Sequence, residues 1–270
     1  MQKKSFSLAL VLVSACAANP TPEPPQKSAA PAATPKDATP EPSASEPEDE
    51  SGCAKGMKAI PGGTLFLDAS NKVAIAAFCF DQAEVTAEEY RACTKNRSCP
   101  ALPKEVRLLS PVSEAEQAEL SAKCSAHSSD PEMPATCVSY DEARRYCDWK
   151  GRRLPTEMEY RWAASGGNDK LANAWGSAPA GDDVVCWQRP RGPCRVKSKP
   201  AEGFELFDLA GNVSEWTTSA YEPKTKGEKA GRVIVGGNWE STRPDDVSAT
   251  KREGRQEGYR DITLGFRCAK

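Results

Sequence analysis

Two carboxylates, Asp208 and Glu215, flank a Gly211-Asn212 pair inside FDLAGNVSEW, the stretch from Phe207 to Trp216. Acids on either side of a tight turn can act as catalytic acids, as oxygen ligands of a hard cation, or simply as turn residues. Further on, GGNWESTRPDDVSATKREGRQ brings Asn238, Trp239, Glu240, Arg243, Asp245, Asp246, Lys251, Arg252 and Arg255 close together. A pocket edged by these charges could bind a peptide or a glycan, with Trp239 as a stacking surface. The same residues could equally be solvated loop charges. Adjacent acids such as Asp245 and Asp246 often diverge in direction and define no carboxylate separation, which weighs against a hydrolase.

Sulfur is the other chemistry on offer. Of the eleven cysteines, Cys16 follows the apolar run FSLALVLV and sits at the end of VSAC, behind a short basic start MQKK. That order reads as a lipoprotein signal peptide over residues 1–15, with a lipid-bearing N-terminal Cys16; an ordinary signal peptide cut nearby is the alternative. No acid follows Cys16 directly, so in a Gram-negative host the expected destination is the outer membrane, facing periplasm or surface. The expected compartment is thus the bacterial cell envelope, where the other ten cysteines default to disulfides. Spacing suggests Cys93–Cys99 and Cys186–Cys194, each closing a short loop. A zinc site is disfavoured, since no CxxC occurs and the single histidine, His127, lies in a Ser-rich loop. That scarcity also weighs against histidine-assisted nucleophiles and multi-histidine iron.

Residues 16–52 are Pro, Ala, Ser and Glu without aromatics, too poor in apolar surface to fold. They read as a disordered tether reaching up to roughly 110 Å. Residues 53–270 are the size of one domain. A net charge of -2 without a long basic run excludes nucleic acid as an expected partner.

The elements that must position these groups are short. Thr86…Glu89, Ser113…Glu116, Ser139…Glu142 and Thr156…Glu159 have capping-box spacing and mark four helix starts. The third helix is expected from Tyr140 to Lys150, with Tyr140, Ala143 and Cys147 on one face. The fourth is expected to begin after Pro155 and end at Gly166-Gly167. Strands are expected at Thr64–Asp68, Val73–Asp81, Arg232–Val235 and Leu264–Ala269. Gly167–Glu205 and Gly237–Asp261 read as loop. The fold class is α+β, loop-rich and disulfide-stapled.

IPGGTLFLD, FCFDQAEVTAEEYRAC, VSYDEARRYCDWKGRRLPTEMEYRWAASGG, NAWG, GFELFDLAGNVSEW, VGGNW and LGFRC occur in this order. Together they resemble the formylglycine-generating enzyme (sulfatase-modifying factor) family, whose fold is a variant of the C-type lectin fold. The resemblance spans nearly all of 53–270. It implies a Cys147–Cys268 disulfide tying a helix to the last strand, whereas Ala164 stands where the family's other disulfide would begin. The remaining pairs, by proximity, are Cys53–Cys79, Cys93–Cys99, Cys124–Cys137 and Cys186–Cys194. It also implies a calcium ion held by the side chains of Asp208 and Glu215 and the carbonyls of Gly211 and Val213. A second calcium site looks degraded near Val185-Cys186.

The family oxidises a substrate cysteine through two copper-binding cysteines. Here no cysteine lies between Gly236 and Gly265, and by register Asp246 and Lys251 occupy those positions. Neither is a soft ligand for copper, so neither copper nor iron is expected. The resulting expectation is a non-catalytic binding module, anchored to the membrane through Cys16 and recognising an envelope protein, peptide or glycan. Its candidate groove is Asn238, Trp239, Arg243, Asp245, Asp246, Lys251 and Arg255. An oxidase with unorthodox ligands and a structural envelope protein are the alternatives.

Overall fold

A computed structural model describes residues 52–270 apart from 104–105, 107–112, 125–127, 168–172, 177–178, 224 and 228. Cys16, the leader, nearly all of the tether and His127 lie outside the described residues. The described elements run β1 (Met57–Ile60), β2 (Gly63–Phe66), β3 (Lys72–Ile75), β4 (Phe78–Asp81), α1 (Ala87–Lys95) and α2 (Glu114–Ala122). They continue with α3 (Tyr140–Trp149), α4 (Glu157–Ala164), β5 (Ser214–Tyr221), β6 (Gly231–Val235), β7 (Arg252–Arg255) and β8 (Leu264–Gly265). Two helical half-turns, Gly203–Glu205 and Pro244–Val247, punctuate the long connections.

Every expected helix start is a cap. In α1 the Glu89 amide donates to Thr86 Oγ1 at 3.2 Å, and the Thr86 amide donates back to Glu89 Oε2 at 2.8 Å. Thr156 and Glu159 repeat the exchange, and the Ser139 amide donates to Glu142 at 2.8 Å. Ser113 supplies only its half of the box. Each satisfied amide would otherwise be an orphan of the first turn, worth about 1 kcal/mol. The α3 face buries Tyr140, Ala143, Tyr146 and Cys147.

Strands depart further from expectation. The run Val73–Asp81 is two strands, because β3 pairs with β2 while β4 pairs with β1. The switch is tight: a Cβ on Gly62 would lie 2.7 Å from the Ile75 carbonyl. The last strand is shortened to Leu264–Gly265, and the chain beyond it pairs through isolated bridges, Cys79 with Lys270 and Arg153 with Ala269 each exchanging amide and carbonyl bonds, while the Asp81 amide donates to Cys268. β1, β5 and β7 are strands that the sequence reading missed.

The four-stranded sheet has order β7-β6-β5-β8, with β5 and β8 parallel. Both faces of its centre are buried, which explains the unbroken apolar run in β6. Val233 and Val235 pack with Phe80, Tyr160, Leu206 and Leu209, while Ile234 packs with Tyr90, Tyr146, Trp216 and Phe266. The disulfides are Cys53–Cys79, Cys93–Cys99, Cys124–Cys137, Cys147–Cys268 and Cys186–Cys194.

Candidate functional site

The acid-turn-acid stretch folds as a left-handed turn feeding β5. Asp208, Gly211 and Asn212 have φ of 55°, 75° and 48°. Gly211 is obligatory on two counts, since a Cβ there would also sit 2.5 Å from the Cys186 carbonyl. The Asn212 amide donates to Cys186, its side chain donates to Glu84 at 2.6 Å, and its carbonyl receives the Trp239 amide. Glu215 projects from β5 into the core, where it meets a residue the sequence reading passed over. Arg267 Nε reaches both Glu215 oxygens at 3.0 and 2.8 Å, and Nη2 donates to the Phe207 and Asp208 carbonyls at 2.9 and 3.0 Å. Both side chains are fully buried. Tyr160 adds a hydroxyl bond to Glu215 at 3.2 Å. A signal was available, because Arg267 is the one charge in the otherwise apolar block LGFRC.

Around this pair the acids outnumber the cations. Burial raises Glu84 well above the carboxylate range, with Asp208 and Glu215 adding to the effect. Burial likewise pushes Glu202 up to about 8 and raises Asp208 and Glu215, against the pull of Arg267. Carboxylates and carbonyls are the right donors for a hard cation, and the surplus negative charge favours one. Glu215, however, is shared with Arg267, and Asp208 Oδ2 already accepts the Lys197 amide at 2.6 Å. Among the described residues, no three His, Cys, Asp or Glu side chains are arranged to hold a metal. The expected set offers oxygen donors of the type calcium takes, but both of its carboxylates already have partners within the protein.

The second concentration of charge forms a polar cavity of about 350 Å³ beside β7. Asn238, Asp246, Lys251 and Arg255 line it, joined by Ser214, Tyr259 and others. Lys251 Nζ lies 3.1 Å from Asp246 and 2.9 Å from Glu253. Arg243 grips Asp246 from outside at 3.0 Å, and Arg255 pairs with Glu253 at 2.6 Å. The result is a ladder of alternating sign. The Arg243 bonds, then Lys251, hold Asp246 far below the carboxylate range, and Lys251 is raised because Glu253 and Asp246 outweigh its partial burial. Both shifts favour the ionised forms, Asp246 as carboxylate and Lys251 as ammonium.

The family model for the sulfatase-modifying factor enzyme 1-like domain matches residues 42–270. The chain belongs to that family. Among sulfatase-modifying factor relatives it is similar to the mouse "Inactive C-alpha-formylglycine-generating enzyme 2", 34% identical over 51% of this chain and 49% of the relative. It is also similar to "Serine/threonine-protein kinase pkn1" of Chlamydia pneumoniae, 35% identical over 51% of this chain and 24% of that protein. The chain thus spans about half or less of the length of these curated relatives. In fold it resembles CarF, with a TM-score of 0.60 and 19% identity over 79% of this chain and 97% of that one.

Within the sulfatase-modifying factor scaffold, the sequence-derived groove is partly reassigned. Trp239 is buried at 2% exposure beside Cys186, Val213 and Ile262, so it offers no stacking surface. Its indole is buried with the ring N–H directed at the Ile262 carbonyl, 3.5 Å away. Asp245 is exposed and does not line the cavity, and Arg243 clamps Asp246 from the rim. Glu253, Tyr259, Asp261 and Thr263 were missed. The period-two spacing of Lys251, Glu253 and Arg255 could have revealed their strand.

Proposed function

We propose that this chain is a non-catalytic binding module of the bacterial cell envelope, tethered through lipid on Cys16 and recognising a peptide or protein with the cavity beside β7. The observation that carries the reading is the Asp246–Lys251 ion pair, 3.1 Å across, in the segment where the family resemblance implies a pair of catalytic cysteines. An ionised pair, doubly held, offers no soft ligand for copper and no group poised to move a proton. A relative whose name calls it inactive agrees with this. Burial of Trp239 weakens the glycan alternative. A structural calcium on Asp208, Glu215 and the carbonyls of Gly211 and Val213 would offset the buried acid surplus that Arg267 only partly balances.

The test is to incubate the purified full-length chain with copper, oxygen and a cysteine-containing sulfatase-type peptide, then read the peptide by mass spectrometry. No aldehyde product is expected; stoichiometric conversion would reinstate the oxidase. Metabolic labelling with palmitate, lost in Cys16→Ser, tests the anchor. Unlabelled wild-type chain would remove it.

A further inference from the structure

Of the ten described cysteines, only Cys79 and Cys194 are less than fully buried. Cys79 sits in β4, paired with Ala59 on one side and exchanging both backbone bonds with Lys270 on the other. Its chain is held in place with or without the bridge to Cys53. Cys194 belongs to no helix or strand. Its amide donates to the Asn212 side chain at 2.9 Å and to Cys186 Sγ, its own disulfide partner, at 3.1 Å. An N–H aimed at a sulfur favours the thiolate there, and a stabilised thiolate is the better leaving group. The bridge therefore offers one half-buried cysteine to attack and one buried sulfur prepared to leave.

The loop between these cysteines braces the segment that rims the polar cavity beside β7. The Arg189 amide donates to the Trp239 carbonyl at 2.8 Å and the Gln188 amide to the Ser241 carbonyl at 3.2 Å. The Gln188 side chain adds a bond to the Thr242 carbonyl at 2.9 Å. On the inner side, the Asn212 amide donates to the Cys186 carbonyl and the Asn212 carbonyl receives the Trp239 amide, both at 2.8 Å. Asn238, Glu240 and Ser241, from the braced segment, line the cavity. Gln188 has a φ of 50°, in the left-handed region that an L side chain adopts only when it is held there. The bridge fixes the loop, and the loop fixes the rim.

We infer that Cys186–Cys194 is a redox-sensitive latch on the rim of that cavity, opened by a dithiol. A thiolate of the dithiol bonds to Cys194 Sγ as the bond to Cys186 breaks, and the electron pair leaves on Cys186 Sγ, facing the Cys194 amide. The dithiol's second thiolate then displaces Cys194. The dithiol closes to a disulfide, and the protein gains two electrons and, once both sulfurs are protonated, two protons. Reduction releases the 187–193 loop from its closure, and the 238–242 segment loses its outer support. As regulation of the cavity, the latch rests on the binding-module reading.

Hydrogen exchange on the full-length chain in detergent, at graded dithiothreitol with alkylation and peptide mapping, tests the latch. Cys186 and Cys194 should be alkylated first, roughly tenfold faster than any other pair. Exchange at the amides of residues 238–242 should then rise roughly tenfold while α3 stays protected. The double variant Cys186→Ser with Cys194→Ser should show the same rise without reductant, with thermal melts confirming that it folds. Release of all five pairs together, or an open bridge with unchanged exchange at 238–242, overturns the latch. Neither result touches the copper assay, where aldehyde formation would overturn the binding-module reading separately.

Discussion

Arg267→Met is the sharpest perturbation of this fold. The substitution keeps the apolar stem and removes a guanidinium that is fully buried against Glu215 and the Phe207 and Asp208 carbonyls. It strands a buried carboxylate beside Glu84, Glu202 and Asp208, all already raised by burial. Breaking a buried pair from one side costs about 3–5 kcal/mol. For a chain of this size that corresponds to a fall in Tm of roughly 6–20 °C. Glu215→Gln should cost less, about 1–3 kcal/mol, because the amide oxygen still accepts from Tyr160 and the acid surplus shrinks. The double variant Arg267→Met with Glu215→Leu should recover most of the loss, since a buried pair replaced by apolar groups is often neutral. Urea melts with disulfides intact, arranged as a double-mutant cycle, measure all three. A loss below about 1 kcal/mol for Arg267→Met, or strictly additive losses in the double variant, would refute the claim that this pair organises the turn.

Asp208→Ala should lower the melting temperature in calcium and leave it unchanged in chelator; equal melts of the wild type with and without chelator would remove the calcium proposal. Cys147→Ser should destabilise by about 5 kcal/mol and Cys93→Ser by about 2, because their disulfides close loops of 121 and 6 residues, and equal losses would contradict the loop-entropy account. Burial pushes Asp81 up to about 6 despite Arg152. A raised folded pKa means that Asp81's contribution is complete below about pH 4 and is lost as pH rises through about 6, a swing of about 3 kcal/mol at most. Asp81→Asn should flatten that part of the stability profile in denaturant melts; an unchanged slope would place the titration elsewhere.

Much of the frame was legible because its signals are local. Capping boxes speak across three residues, so Thr86, Ser113, Ser139 and Thr156 marked their helices correctly. Short cysteine loops and the ordered family blocks gave the disulfides and the fold. Strands fared worse, because pairing is decided by distant partners. Nothing in Val73–Asp81 says that its halves serve different sheets, and β7 is a run of charges whose strand character comes only from pairing with β6.

The sites divide along the same line. The sequence by itself determined that no cysteine lies between Gly236 and Gly265, since that is a matter of residue identity. It also determined where a turn must lie, since Gly211-Asn212 is a local conformational demand. Only the tertiary structure decided which side chains meet. Arg267 and Glu215 are 52 residues apart and find each other because β5 and β8 lie side by side. Trp239, expected as a stacking surface, went inside, while Tyr259, which the sequence did not mark, lines the cavity beside β7. Burial and electrostatic pairing depend on three-dimensional neighbours, and a linear pattern lists residues without saying which of them will share a dielectric.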